Sequence, residues 1–114
     1  MLATHAAKLI EEIQASGLDD TRFHSRTEDS LIAVRFAETA LVFQATQTSE
    51  GVFDVDCLEY VSMNVNGYPI ATTEPRRAAQ VSFGDVVAGF RHWLRGIERS
   101  LVDRVALEHG QQPT

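Results

Sequence analysis

Apolar residues recur at spacings of three and four over residues 2–16, where Leu2, Ala6, Leu9, Ile10 and Ile13 share one face. Lys8, Glu11, Glu12 and Gln14 lie towards the other side, so the spacing predicts a helix, with Gly17 as its stop and Leu18 able to fold back on its end. The period then shortens to two. The segment 21–27, TRFHSRT, reads as a short, polar edge strand, and 28–30 as a turn. In LIAVRFA (31–37), Ile32, Val34 and Phe36 alternate with Leu31, Ala33 and Arg35; in ALVFQATQ (40–47), Leu41, Phe43 and Ala45 alternate with Val42, Gln44 and Thr46. Such alternation marks strands with one buried and one wetter face.

After a turn at TSEG (48–51), residues 52–65 continue the alternation, with Phe53, Val55 and Cys57 on one face and Asp54 and Asp56 on the other. The pattern slips at Glu59, which suggests a bend or a bulge near Leu58 that turns Leu58 and Tyr60 inward. Asn66-Gly67 suits a two-residue hairpin, so 68–73 reads as a short returning strand, with Pro69 favouring an edge. TEPRRAAQV (73–81) reads as a linker, and Ser82 with Asp85 as a variant capping box.

From Phe83 the helical period returns. Phe83, Val87, Phe90, Leu94, Ile97 and Leu101 form one stripe, widened by Val86. Packing across a sheet is the expectation; a coiled-coil seam is the alternative. Gly89, Trp93 and Gly96 lie beside the stripe, and small residues flanking a Trp invite close approach, by the sheet, by the first helix or by a second copy. Arg91, His92, Arg95 and Arg99 sit opposite the stripe, as a solvated face or as a basic contact surface.

The elements together predict a two-layer α+β domain. An N-terminal helix, an antiparallel meander of four to five strands and a long C-terminal helix packed on that sheet make a single domain over 1–110, with a frayed tail at 111–114. The order of elements and the acidity resemble those of the small acidic chaperones of type III secretion. Those also begin with a helix, use an antiparallel sheet and dimerise through helices. The resemblance covers architecture without a shared motif, and this chain shows no helix inside the strand region.

Composition narrows function more than fold. The 114 residues carry a net charge of -6, which argues against non-specific nucleic-acid binding and fits a basic protein partner. In FRHWLR, Phe90 and Leu94 lie on the core stripe and the arginines face away, so the stacking platform and the charge would not share a surface. No apolar run approaches the length of a membrane span, and the first residues lack the basic-then-apolar pattern of a secretory signal. A single cysteine, Cys57, fits a reducing, cytoplasmic setting.

Candidate chemistry is sparse. His5, His24, His92 and His109 have no metal-ligand spacing, and phosphate-loop and nucleophile-elbow motifs are absent, so no catalytic residue, metal or cofactor is assigned. The expectation is a non-enzymatic interaction protein: an inhibitor, an immunity-type protein, or a chaperone or adaptor. Its partner-facing surface would be the acidic one, Asp54 and Asp56 with Glu28, Asp29 and Glu50 at strand ends. The rival surface is Arg91, Arg95 and Arg99, and a homodimer through Gly89, Trp93 and Gly96 is expected. The alternative is a small-ligand site or enzyme in a cavity between sheet and long helix, where Glu59 and His24 would be the polar groups of interest.

Overall fold

A computed structural model describes the backbone of residues 2–65 and 68–105, and the side chains of 2–61 and 72–104. The order is α1 (Leu2–Ser16), a 3-10 turn (Asp20–Arg22), β1 (Phe23–Glu28), β2 (Leu31–Phe36), β3 (Val42–Ser49), β4 (Val52–Val65), β5 (Tyr68–Val81) and α2 (Phe83–Val105). The strands form one five-stranded antiparallel meander in chain order, and the two helices lie against it, α2 chiefly on β4 and α1 beside α2, β1 and β2. This is the two-layer α+β fold that the periodicities predict.

Local signals act as expected at most ends. Gly17 has φ +82° after α1, and Gly51 has φ +73° in the β3–β4 turn, conformations that favour glycine. The Asp85 backbone N–H donates to Ser82 Oγ at 3.2 Å, capping α2. The expected Asn66-Gly67 turn, residues 106–110 of the expected domain and the expected frayed tail 111–114 lie outside the described residues.

The core joins Ile32, Val34 and Phe36 to Leu41, Phe43, Ala45, Phe53 and Val55 under Val86, Phe90, Leu94 and Ile97, with Leu9 and Ile13 from α1. Each fully buried Val, Leu, Ile or Phe side chain contributes roughly 1.5–3 kcal/mol. Trp93, 1% exposed, sits among Phe23, Phe43 and Phe90 at ring separations of 6.1, 5.9 and 5.4 Å. The buried side of α2 is therefore broader than its heptad-like stripe.

Two expectations need correction. Residues 73–81 are not a linker but the second half of β5, paired from Val65↔Tyr68 through Val55↔Ala78 without a break. The register also shows no bulge at Leu58; the irregularity falls between Phe53 and Val55, opposite Ala78 and Val81. There Gln80 has φ 56°, and its N–H donates to Asp54 Oδ1 at 2.9 Å. Glu59 and Tyr60 are both buried for another reason. β3 pairs with β4 only as far as Phe43↔Cys57, so from Leu58 onward β4 has no strand on that side. Helix α2 covers the vacated edge instead: Trp93 Nε1 donates to the Leu58 carbonyl at 3.0 Å and Arg99 Nη2 to the Tyr60 carbonyl at 3.3 Å.

Candidate interaction surface

With both helices on one face, the register assigns the other face of the sheet. It carries His24, Arg26 and Glu28 from β1, Ala33 and Arg35 from β2, Val42 and Gln44 from β3, Asp54, Asp56 and Leu58 from β4, and Arg77 from β5. One shallow hollow there is lined by His24, Arg26, Ala33, Arg35, Val42 and Gln44. A second, lined by Val42, Gln44, Asp56 and Leu58, shares its Val42–Gln44 wall. The floor is apolar and half-buried, and the rim is charged with both signs.

The five carboxylates singled out in the sequence are brought only partly together. Glu28, Asp29 and Glu50 lie at one end of the sheet, where the Gln47 N–H of β3 donates to the Ser30 carbonyl of the β1–β2 turn at 2.7 Å. Glu28 pairs with Arg26 at 3.2 Å, and Asp56 with Arg77 at 3.5 Å. Asp54 fixes the β5 bulge. Asp29, at φ 41°, and Glu50 are exposed in turns. The open face is thus mixed rather than acidic, because β1, β2 and β5 set arginines beside the acids of β4.

The basic stripe is also divided. Arg91 makes a two-pronged contact with Glu12 of α1, Nε to Oε1 at 2.6 Å and Nη2 to Oε2 at 3.0 Å, and Lys8 approaches the same carboxylate at 3.2 Å. The Arg91 hydrogen bonds outweigh burial and hold Glu12 down at about 2. Arg99 reaches sideways to β4, while Arg95 is exposed along a cleft between the helices lined by Glu12, Ala15, Ser16, Arg91, Leu94 and Glu98.

The Gly89, Trp93 and Gly96 sector faces the protein's own sheet. A Cβ at Gly96 would stand 3.3 Å from the Tyr60 carbonyl oxygen, and one at Gly89 4.0 Å from the Phe43 ring. The close approach inferred from these residues is real, and its partner is β4 and β3 of the same chain. Trp93 offers a second copy no surface.

Glu59 and His24 are not brought together. His24 lies on the open face of β1, while Glu59, 6% exposed, lies under α2 between Arg76 Nε at 3.0 Å and His92 Nε2 at 3.3 Å. Its Oε1 accepts no hydrogen bond. These contacts tie α2 to the β4–β5 ribbon. The nearby Cys57 thiol is pushed up to about 11, first by burial and then by the Glu59 charge, so it is protonated at neutral pH and a poor nucleophile. Among the described residues no three His, Cys, Asp or Glu side chains converge as metal ligands. No described helix is long and apolar enough to cross a membrane. No family model, curated protein or solved structure matches the chain.

Proposed function

We propose that the protein is a non-enzymatic binding domain, of the inhibitor, immunity-type, chaperone or adaptor kind, that holds another protein against the open face of its sheet. The observation that carries this reading is the pair of joined hollows around Val42, Gln44 and Leu58, an apolar floor with a charged rim on a face that neither helix covers. The net charge of -6 and the acidic end formed by Glu28, Asp29 and Glu50 favour a partner with a basic surface. The buried single thiol of Cys57 fits a reducing, cytoplasmic setting.

The test is affinity capture from the native host with mass spectrometry, using wild type, Val42→Asp and Arg95→Glu as baits. A stoichiometric protein held by wild type and Arg95→Glu but lost by Val42→Asp is expected. Loss with Arg95→Glu alone would move the site to the helix face. A second reading is a small ligand with an apolar body and an anionic group. It is favoured by a cleft between sheet and α2 lined by Arg22, Phe36, Leu41, Tyr60, Leu101 and Arg104. A bound metabolite without a protein partner in the same capture would support it.

A further inference from the structure

The two ends of the sheet differ in whether their outer edge can accept another strand. The Phe36 N–H donates to the Leu41 carbonyl at 3.0 Å, so the main-chain groups of Phe36, and by alternation those of Val34 and Ile32, point to β3. Arg35, Ala33 and Leu31 then bond to His24, Arg26 and Glu28 of β1. The N–H and C=O groups of Ser25 and Thr27 therefore point outward, on a strand whose residues His24–Glu28 are all exposed. Phe23 is different, because its N–H donates to the Asp20 carbonyl. No proline or bulge interrupts β1.

A second observation lies on the same side of the molecule. Glu12, which also holds Lys8 of its own helix, turns one flank of α1 to Arg91 of α2. At about 100° per residue the opposite flank carries Ala3, Ala7, Ile10 and Gln14. All four are exposed, and Ile10 is a large aliphatic residue left 39% exposed. Helix α1 contacts β1 and β2, and α2 sits chiefly on β4, so this flank faces out over the β1 edge.

We infer that two copies of the chain join through β1, extending the sheet across a two-fold axis at Arg26 and closing the Ile10 flanks over the seam. The fit is self-complementary. An axis at Arg26 sets Ser25 against Thr27 of the second copy and Thr27 against its Ser25, which satisfies the main-chain groups of both residues. His24 then faces Glu28 of the second copy, twice. The two Arg26 side chains meet on the axis, but each is already held by its own Glu28 at 3.2 Å, and the other copy's Glu28 lies on the diagonal. Ala3 and Ala7 allow the two α1 helices to approach closely, with Ile10 filling the seam. The open face stays on one side of the joined sheet, so two copies of the surface proposed above would stand side by side.

Sedimentation equilibrium from about 1 µM to about 1 mM tests it, the range over which an interface of modest affinity assembles. Wild type is expected to be dimeric at the upper end. Ser25→Pro removes only an outward N–H, so it leaves the protomer's ladder intact. It should weaken the dimer at least roughly tenfold through the loss of two inter-copy hydrogen bonds. Thr73→Pro, the matching outward position on β5, should leave the dimer unchanged. Ile10→Glu and Arg26→Glu should also yield monomers with the circular dichroism of wild type, and they decide the matter if Ser25→Pro fails to fold. A wild-type monomer at every concentration, or a dimer that survives both Ile10→Glu and Arg26→Glu, would overturn the inference. So would a chain that stays monomeric and takes up only an added extended peptide at β1.

Discussion

The two outer strands of this sheet handle the same hazard in opposite ways. Strand β5 is long, and an exposed long edge invites pairing with any other chain. Its main chain alternates with that of β4. The Leu58 and Tyr60 carbonyls point to α2, so Cys57 and Glu59 bond to β5 through Arg76 and Glu74, and Thr73, Pro75 and Arg77 face outward. Pro69 and Pro75 share that outward parity, where a missing N–H costs the ladder nothing and denies a donor to a newcomer. The Gln80 bulge, held by Asp54, then turns the strand aside. Strand β1 has none of these devices. The contrast teaches that one sequence guards the β5 edge three times over and leaves the main-chain groups of Ser25 and Thr27 on β1 open to pairing.

The β1 edge and the β4–β5 ribbon share one anchor, and removing it should have the largest effect. Trp93 contacts Phe23 of β1 and donates to Leu58 of β4. Trp93→Ala should cost about 3–5 kcal/mol in denaturant unfolding, loosening both ends of the sheet together. A loss confined to one end would break the comparison. Gly96→Ala is smaller and one-sided. The added Cβ meets the Tyr60 carbonyl at 3.3 Å, an overpacking worth about 1–3 kcal/mol, from which roughly 1 kcal/mol of helix propensity is recovered. Amide exchange should rise at Thr72 and Glu74 of β5 and stay unchanged in β1.

Acid should act on the β1 side instead. Glu12 is held at about 2, below its ordinary 4.5, chiefly by the Arg91 hydrogen bonds. A depressed folded-state value means that its stabilisation is present above about 4.5 and is lost as pH falls towards about 2. Urea midpoints measured across that window should fall more steeply for wild type than for Glu12→Gln. The Asp19 carboxyl, lowered by its hydrogen bonds from Thr21, adds a residual slope in both proteins. Equal slopes would show that α1 is not tied to α2 through this pair. The smallest effect is expected of Pro75→Ala, about 0.4–1 kcal/mol of lost stability from a freer unfolded chain. The same change restores a donor to the β5 edge, so slow aggregation monitored by light scattering should increase.

How much of this was legible in the sequence depended on whether a segment's side chains face two different environments. β2, β3 and the first half of β4 alternate between core and open face, and their period revealed them. The second half of β5 has every residue from Thr72 to Gln80 exposed, so it shows no alternation, and Glu74-Pro75 reads as a break. Proline is tolerated there only because its nitrogen faces out, a fact of pairing that no local pattern carries. The sector of Gly89, Trp93 and Gly96 announced a close approach correctly, but which backbone approaches is set by where β3 stops. The acids of β4 were visible as a same-face pair, while the arginines opposite them arrive from strands 20 or so residues distant, beyond the reach of any short window.

The most direct measurement is residue-resolved amide exchange at two protein concentrations, one well below and one well above the dimer midpoint. At low concentration the Ser25 and Thr27 amides of β1 and the Thr73 and Arg77 amides of β5 should all exchange freely, since none is bonded within the protomer. At high concentration Ser25 and Thr27 should become protected while Thr73 and Arg77 do not. Protection that appears at Thr73 and Arg77 instead, or exchange at Ser25 and Thr27 that never slows, would contradict the assignment of β1 as the joining edge.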